Sequence, residues 1–324
     1  MYFSKISATG SCAPDKIVTN DDLSKIVDTN DEWIVSRSGI KRRHFSSGEN
    51  ASDLATGAAE EIIKRSGIDP LDIELIIVAT VSADYTTPST ACLVQANIGA
   101  ANAVAFDVGA ACAGFMFGLS VADKYIKCGV YKNAIIIGTE VLSKYLDFND
   151  RGTCVLFGDG AAGVLLERTE EQEGILCEEI GSDGFKAMAL TKGFSPAGNV
   201  FNNVSCEADR SMKMDGKAIF DFATRSVPVS VKKLLEKSGR FTDEIDFVIP
   251  HQANSRIVEI ISRKLKMPLD KFYMNMDEYG NTSSASIPLA LNEMVEKGII
   301  KKGSLCIFTG FGAGLTWGSM LVKF

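Results

Sequence analysis

The chain has 324 residues, of which 46% are hydrophobic and 23% are charged, with a formal net charge of −7. A chain of this length forms one large domain or about two ordinary ones. No apolar run approaches the roughly 18 residues of a membrane span, and MYFSKISATGSCAPDK does not resemble a secretory signal. We therefore expect a cytoplasmic protein without membrane contact. The acidic balance also argues against nucleic-acid binding.

The strand predictions follow in chain order. Apolar runs rich in β-branched residues alternate with longer helix-like stretches. The runs are IELIIVAT, NAVAFDV, NAIIIGTE and TCVLFGDGAAGVLL, followed later by IDFVIP and SLCIFTGFGAG. This alternation predicts an α/β protein whose strands are buried on both faces.

An internal repeat organises the chain. SDLATGAAEEIIKRSGIDPLDIELIIVA, from Ser52, is echoed by FDFATRSVPVSVKKLLEKSGRFTDEIDFVIP, from Phe220. The region from Gly129, with NAIIIGTE, is echoed in the same order by the region from Gly298, with SLCIFTGFGAG. Both echoes are offset by about 170 residues, which indicates a duplicated domain rather than a solenoid.

The boundary between the two halves is expected in the polar stretch ERTEEQEG, residues 167–174. We therefore predict an N-terminal half over residues 1–168 and a C-terminal half over residues 169–324.

Eight cysteines are scattered singly, without a CxxC pair: Cys12, Cys92, Cys112, Cys128, Cys154, Cys177, Cys206 and Cys306. We expect reduced thiols and no metal site. Cys112 stands apart, because it lies between a predicted strand and a predicted helix in the small-residue run GAACAG. The N-terminus of the helix should lower the pKa of this thiol, and small neighbours leave backbone N–H groups free to hold an oxyanion. We interpret Cys112 as a nucleophile, and Cys128, Cys154 and Cys306 as core residues.

Only two histidines can assist a nucleophile. His44 lies in the charged run GIKRRHF, which we interpret as a solvated loop. His251 directly follows the buried strand IDFVIP, a position where α/β enzymes place catalytic groups. Asn281, in EYGNTSSASIP, is a further candidate that would alone be read as a turn residue. The glycine-rich TGFGAGLTW is followed by an apolar strand, so it does not predict a dinucleotide site.

Six motifs in this order carry a resemblance to a known family: DEWIVSRSGI, AFDVGAACAGF, DRGTCVLFGDGAAG, PHQAN, GNTSSASIP and FGAGLTWGSMLVKF. With them the chain resembles, over essentially its whole length, the β-ketoacyl-acyl carrier protein synthase III family. These are the condensing enzymes that start type II fatty acid synthesis. The resemblance implies a thiolase-like, layered αβαβα fold built from two duplicated halves.

The family's catalytic triad carries over to Cys112, His251 and Asn281. The resemblance implies that Cys112 takes an acyl group from an acyl-coenzyme A primer, and that malonyl-acyl carrier protein then loses carbon dioxide and condenses with it. Backbone N–H groups of Cys112 and Ala313 would form the oxyanion hole, although many relatives have glycine at the latter position. The partners implied are acyl-coenzyme A, malonyl-acyl carrier protein and a second copy of the chain, with no cofactor and no metal.

Further residues carry over by position. Those for coenzyme A are Thr29, Trp33, Arg37, Arg151, Gly216 and Asn254. Trp33 can stack on the adenine while Arg151 faces it from the other side. The acyl pocket corresponds to Thr87, Leu142 and Phe157, and Thr87 replaces the bulky aromatic residue of acetyl-preferring relatives, so we expect a longer pocket. Docking of the carrier protein falls to Arg256, Arg263 and Lys264, which could also form an ordinary solvated helix face.

Other functions remain open to different degrees. A papain-like protease has its cysteine in another motif near the mature N-terminus. An elongating condensing enzyme needs a second histidine after the cysteine, and His44 precedes it. A thiolase needs a second catalytic cysteine, and Cys306 lies within a predicted strand. The strongest alternative is a related acyltransferase or condensing enzyme of secondary metabolism, while an intact triad argues against a non-catalytic binding module.

Overall fold

The computed structural model describes residues 2–202 and 208–324. Over these residues the strands are β1 (Phe3–Cys12), β2 (Ile17–Thr19), β3 (Arg42–His44), β4 (Leu75–Ala79), β5 (Val104–Val108), β6 (Asn133–Glu140), β7 (Gly160–Thr169), β8 (Gly174–Ser182), β9 (Leu190–Phe194), β10 (Asp209–Met214), β11 (Phe247–Pro250), β12 (Leu305–Gly312) and β13 (Thr316–Lys323). The helices are α1 (Asn20–Leu23), α2 (Asp31–Ser38), α3 (Ala51–Ser66), α4 (Thr90–Asn97), α5 (Gly114–Lys127), α6 (Gly216–Ser238), α7 (Ser255–Leu265), α8 (Met276–Tyr279) and α9 (Ser286–Glu296).

Two sheets with corresponding strand orders form the body of the fold. The first has the order β1-β7-β6-β4-β5, in which β4 pairs in parallel with β5 and β6. The second has the order β8-β13-β12-β11, and Phe272 bridges β11 in parallel at the position that β5 takes in the first. The matching orders agree with the repeat in the sequence. The division at residues 168 and 169 stays a prediction.

Five layers result from where each element buries its apolar face. Helices α5 and α9 lie between the two sheets, with Phe115, Leu119 and Leu291 packed in one core cluster with strands of both. Helices α3 and α4 cover the outer face of the first sheet, and α6 and α7 cover that of the second. Strands such as β4 and β6 are buried on both faces, which explains their continuous apolar runs. The predicted layered α/β architecture is confirmed.

Three local expectations are wrong. GIKRRHF is not a solvated loop, because it forms β3, Arg43 is fully buried and the His44 ring stacks on Tyr279. The first residues of TCVLFGDGAAGVLL form a turn, and the strand begins only at Gly160. Cys128 is exposed rather than buried.

The cysteines of the described residues are all free thiols, and Cys206 lies outside those residues. In the part of the chain that the structure describes, no helix has the length and apolar character needed to cross a membrane.

Candidate active site

Two equivalent turns meet at the centre of the molecule. Cys112 lies in the short 3-10 turn Ala111–Ala113, directly before α5. The corresponding turn Ser283–Ala285 lies directly before α9. Each turn begins with a non-glycine residue in the left-handed region, Ala111 at φ 46° and Ser283 at φ 49°. Such conformations cost free energy and cluster at functional sites, so both turns are held in place by the packing around them.

The Cys112 thiol is buried, with 6% of the residue exposed. Burial raises its pKa to about 12, the neighbouring Ser283 hydroxyl offsets part of this, and the Glu140 carboxyl adds to it. The expectation of a lowered thiol pKa is therefore wrong for the free site. Removing the anion from water outweighs the helix N-terminus, so the resting sulfur is a neutral thiol.

Glu140 lies at the end of β6, fully buried beside both turns. Its carboxyl group accepts hydrogen bonds from the Ser82 hydroxyl at 2.6 Å, the Ser284 hydroxyl at 3.0 Å and the Val81 N–H at 3.2 Å. Burial raises the pKa of Glu140. The group ties the loop after β4 to the turn before α9.

His251 directly follows β11, as expected, and is 3% exposed. Its Nδ1 lies 2.7 Å from the Ser286 hydroxyl oxygen, which also accepts from the Gln252 N–H at 3.4 Å. That hydroxyl is free to donate its own proton to Nδ1, which leaves the ring proton on Nε2. Burial lowers the pKa of His251 to about 3, so the ring is neutral and serves as a hydrogen-bond donor.

Asn281 is positioned by its backbone and side chain together. Its N–H donates to the Leu156 carbonyl at 2.8 Å, and its own carbonyl accepts from the Gly158 N–H at 3.0 Å. The side-chain oxygen accepts from the Ser283 N–H at 2.9 Å. Because the oxygen is occupied, the Asn281 amide nitrogen is left as a donor for the cavity.

Backbone groups of the last glycine-rich turn lie against Cys112. A Cβ atom at Gly312 would meet the Cys112 backbone nitrogen at 2.6 Å, so only glycine permits this approach. Ala313 and Gly314 line a cavity together with Cys112. The two predicted oxyanion donors, Cys112 and Ala313, thus share one cavity.

One cavity, of about 290 Å³, reaches the predicted triad from one side. Cys112, His251 and Asn281 all line it. Five of the six residues predicted for coenzyme A also line it: Trp33, Arg37, Arg151, Gly216 and Asn254. Thr29 is not among the lining residues. The structure therefore brings the predicted triad to the inner part of the same cavity as most of the predicted coenzyme A residues.

Two guanidinium groups lie against the indole of Trp33. The guanidinium carbons of Arg37 and Arg151 lie 4.6 Å and 5.1 Å from the ring centroid. Arg151 also donates to the Asp28 carbonyl at 3.0 Å. An adenine stacked between Trp33 and Arg151 would displace the guanidinium from the indole.

Other predicted contacts are already engaged. The Asn254 side chain caps α7 by accepting from the Arg256 N–H and donates to the Arg37 carbonyl at 2.8 Å. A hydrogen bond to a pantetheine arm would replace one of these bonds.

Of the three residues predicted for carrier docking, Arg256 lines the cavity and lies over the Phe220 ring, whereas Arg263 and Lys264 do not line it. Lys264 donates to the Thr224 carbonyl at 2.9 Å, which ties it to α6.

A second cavity, of about 990 Å³, is also lined by Cys112. Leu142 lines it, and Phe157 lines both cavities. Their place in an acyl pocket stays a prediction. Thr87 is exposed and does not line the second cavity, although the neighbouring Tyr85 and Thr86 do.

Two like sheets around a pair of central helices, with a cysteine at the start of one helix, define a thiolase-like fold. Profiles described as 3-oxoacyl-[acyl-carrier-protein] synthase III and its C-terminal region match residues 106–184 and 235–324. The chain is 52% identical over 322 residues to β-ketoacyl-[acyl-carrier-protein] synthase III of Clostridium acetobutylicum, covering 98% of each chain. It belongs to the β-ketoacyl-acyl carrier protein synthase III family, condensing enzymes of the acyltransferase type.

Solved structures agree with this assignment. The crystal structure of 3-oxoacyl-[acyl-carrier-protein] synthase III from Aquifex aeolicus VF5 has a TM-score of 0.93 and 42% identity, covering 99% of this chain and 100% of that one. The priming β-ketosynthase of the R1128 polyketide biosynthetic pathway has a TM-score of 0.92 and 30% identity, covering 99% of this chain and 96% of that one. The family resemblance predicted from the sequence is confirmed.

Sequence reasoning missed several residues of the site. Glu140 could have been noticed as an acid that closely follows the apolar run AIIIG. Ser286 is one of several small residues after Asn281, and nothing in the sequence distinguishes it from the others. Gly312 was seen only as part of a turn. Gly312 makes a close approach to Cys112, and the two residues lie more than half a chain apart in the sequence. No local pattern reveals such a contact.

The buried thiol predicts a pH dependence. Because the pKa of Cys112 is raised to about 12, its thiolate fraction increases about tenfold per pH unit through the neutral range. Alkylation of Cys112 by iodoacetamide in the free enzyme should therefore accelerate continuously from about pH 6 to about pH 10. Peptide mass spectrometry measures the rate, with Cys112→Ala as the control. A plateau below about pH 8 would contradict the raised pKa.

Proposed function

We propose that this enzyme transfers an acyl group from acyl-coenzyme A to Cys112 and condenses it with malonyl-acyl carrier protein, releasing carbon dioxide and a 3-oxoacyl-acyl carrier protein. The observation that carries the proposal is the cavity shared by the Trp33–Arg151 pair and the residues Cys112, His251 and Asn281. A flat aromatic surface beside guanidinium groups suits a nucleotide, and the apolar inner part suits a thioester.

Acylation comes first. The sulfur of Cys112 bonds to the thioester carbon, the bond from that carbon to the coenzyme A sulfur breaks, and the thiol proton leaves with coenzyme A. The neutral thiol loses its proton as the new bond forms. N–H groups of Cys112 and Ala313 would hold the carbonyl oxygen as it gains charge. The close approach of Gly312 to the Cys112 nitrogen supports this assignment.

Condensation follows on the acyl-enzyme. Loss of carbon dioxide from the malonyl group leaves an enolate, whose oxygen needs hydrogen-bond donors. The enolate carbon bonds to the acyl carbon, the bond from that carbon to the Cys112 sulfur breaks, and the released thiolate takes up a proton from solvent. Nε2–H of His251 and the amide nitrogen of Asn281 are the donors that remain after their other polar atoms are bonded. In a buried site without competing water, such donors stabilise developing charge more strongly than in solution.

The carrier protein is proposed to dock beside this cavity at Arg256, the one of the three predicted docking residues that lines it. A condensing enzyme of secondary metabolism is the second candidate, favoured by the similarity to a priming β-ketosynthase of a polyketide pathway. The two differ in the carrier protein that accepts the product, so condensation with purified carrier proteins of each kind discriminates them.

Acylation is tested by intact mass spectrometry. Incubation with acetyl-, butyryl- and octanoyl-coenzyme A should add one acyl mass to the wild type and none to Cys112→Ala. Cys92→Ala, which removes an exposed thiol, is the matched control and should acylate like the wild type. A stable adduct on Cys112→Ala at wild-type stoichiometry would show that another residue is the nucleophile.

The division of labour gives a further prediction. Asn281→Ala should slow carbon dioxide release from malonyl-acyl carrier protein by about 10²- to 10³-fold, because it removes a donor to the enolate. Acylation should change much less. Radiolabelled carbon dioxide release and acylation by mass are measured in parallel, with the exposed Asn102→Ala as the control. Equal decreases in the rates of carbon dioxide release and acylation would contradict this assignment.

A homodimer is proposed in which the segment around Thr87 closes the acyl pocket of the neighbouring protomer. The open cavity beside Cys112, the exposed Tyr85 and the exposed Val104 on edge strand β5 support it. In that arrangement Thr87 leaves room for a longer acyl chain than an aromatic ring would. Each buried methylene contributes up to about 0.8 kcal/mol to binding.

Thr87→Phe should therefore lower kcat/KM for octanoyl-coenzyme A relative to acetyl-coenzyme A, whereas Thr87→Val, which adds no ring, should not. Sedimentation of the wild type at micromolar concentration is measured alongside. A monomer would refute the dimer, and an unchanged octanoyl to acetyl ratio in Thr87→Phe would show that Thr87 does not limit the pocket.

A further inference from the structure

The cavity of about 990 Å³ beside Cys112 contains charges that a pocket for a hydrocarbon chain does not need. Its charged lining residues are Asp84, Asp107, Lys192 and Arg210. The chemistry proposed above uses none of them. The two acids accept hydrogen bonds from backbone N–H groups, whereas the two cations form no ion pair with a described residue.

The acids hold helix ends. Asp84 accepts from the Ala51 N–H at 3.0 Å, at the start of α3. Asp107 accepts from the Thr90 and Ala91 N–H groups, each at 2.7 Å, at the start of α4. Carboxylates at these positions stabilise helix N-termini. Their charge is thus compensated by backbone donors, and neither acid forms an ion pair with a cation of the cavity.

The two cations have no such partner among the residues that the structure describes. Lys192 is half-buried on β9, and its Nζ lies 3.4 Å from the centroid of the Tyr145 ring. Within residues 2–202 and 208–324, no carboxylate lies within ion-pair distance of Lys192 or of the exposed Arg210. Burial lowers the pKa of Lys192 to about 8; the Glu140 carboxylate acts to raise it and the Lys144 ammonium group to lower it, so Lys192 is still mostly charged at neutral pH.

Partial burial of an ammonium group that has no ion-pair partner among the described residues is costly, and an apolar side chain would fill the same space without that cost. The aromatic face of Tyr145 compensates only in part, since a cation–π contact is weaker than a desolvated ion pair. The position is therefore suited to an anion that arrives with the ligand. Because the same cavity contains Cys112, that anion can be part of the acyl group itself.

We propose that this cavity accepts acyl primers that end in a carboxylate, with Lys192 binding the carboxylate while Cys112 holds the thioester carbon. The inference rests on the proposed acylation of Cys112 and specifies its substrate class. The covalent step is unchanged: the carbon–sulfur bond to coenzyme A breaks, that to Cys112 forms, and the thiol proton leaves with coenzyme A. The distal carboxylate is bound and not consumed.

The test compares two thioesters of equal shape. Glutaryl-coenzyme A ends in a carboxylate, and 5-methylhexanoyl-coenzyme A replaces its two oxygens by methyl groups. Acylation rates are followed by intact mass spectrometry without any malonyl thioester, so that a function of Lys192 in condensation cannot contribute. The variants are Lys192→Met, which keeps most of the length without the charge, and Lys192→Arg, which keeps the charge.

Lys213→Met is the matched control. It lies on the neighbouring strand β10, is exposed, pairs with Asp209 and does not line the cavity.

The wild type should be acylated by both thioesters. Lys192→Met should reduce the ratio of the glutaryl rate to the 5-methylhexanoyl rate by about tenfold or more, as expected for loss of a hydrogen bond to a charged group. Lys192→Arg should keep most of the wild-type ratio, and Lys213→Met all of it. Continued acylation of Lys192→Met by 5-methylhexanoyl-coenzyme A shows that the variant is folded.

Three results would overturn the inference. The wild type could accept 5-methylhexanoyl but not glutaryl groups. Lys192→Met could slow both thioesters equally or leave their ratio unchanged, which would assign Lys192 to packing against Tyr145. Finally, a wild type that forms no adduct with these thioesters or with acetyl-coenzyme A would refute the proposed function itself, and this inference with it.

Discussion

The close packing of each turn before a central helix against a strand of the other half is the constraint on which the rest of the site depends. A Cβ atom at Gly138, on β6, would meet the Ser284 carbonyl oxygen at 2.3 Å, and one at Gly312 would meet the Cys112 nitrogen at 2.6 Å. Glycine at both positions lets strands of each sheet approach the turn of the other half. The same packing holds Ala111 and Ser283 in left-handed conformations.

This contact buries the catalytic side chains, and their burial determines which of them are charged. Burial keeps both Cys112 and His251 neutral, raising the pKa of the thiol and lowering that of the imidazole. A neutral pair does not stabilise a resting thiolate. It provides hydrogen-bond donors, fixed in position by Ser286 and by the backbone near Asn281, for charge that develops during reaction. Donors oriented in advance and shielded from water have a large effect on such charge.

Two cavities share Cys112, Phe157 and Leu190 in their linings and differ in their other residues. The smaller one carries Trp33 with two guanidinium groups, which suits a nucleotide. The larger one combines the apolar Leu142 with Lys192, which forms no ion pair with any described residue, and Phe157 lines both cavities. A thiol between the two can receive an acyl chain into one while the carrier portion occupies the other. Substrate choice and carrier recognition can therefore change independently on the same scaffold.

Local patterns in the sequence determined the α/β class, the duplication, the turn that carries Cys112 and the position of His251 after a buried strand, because strand and helix periodicities are written in neighbouring residues. Pattern alone misjudged GIKRRHF, where Arg43 is fully buried, and Cys128, which is exposed. Only the tertiary structure decided the neutral state of the thiol, the Ser286 hydrogen bond to His251 and the partial burial of Lys192 against Tyr145. Each depends on dehydration or on contact between segments far apart in the chain, and these energies are set by distance in space rather than in sequence.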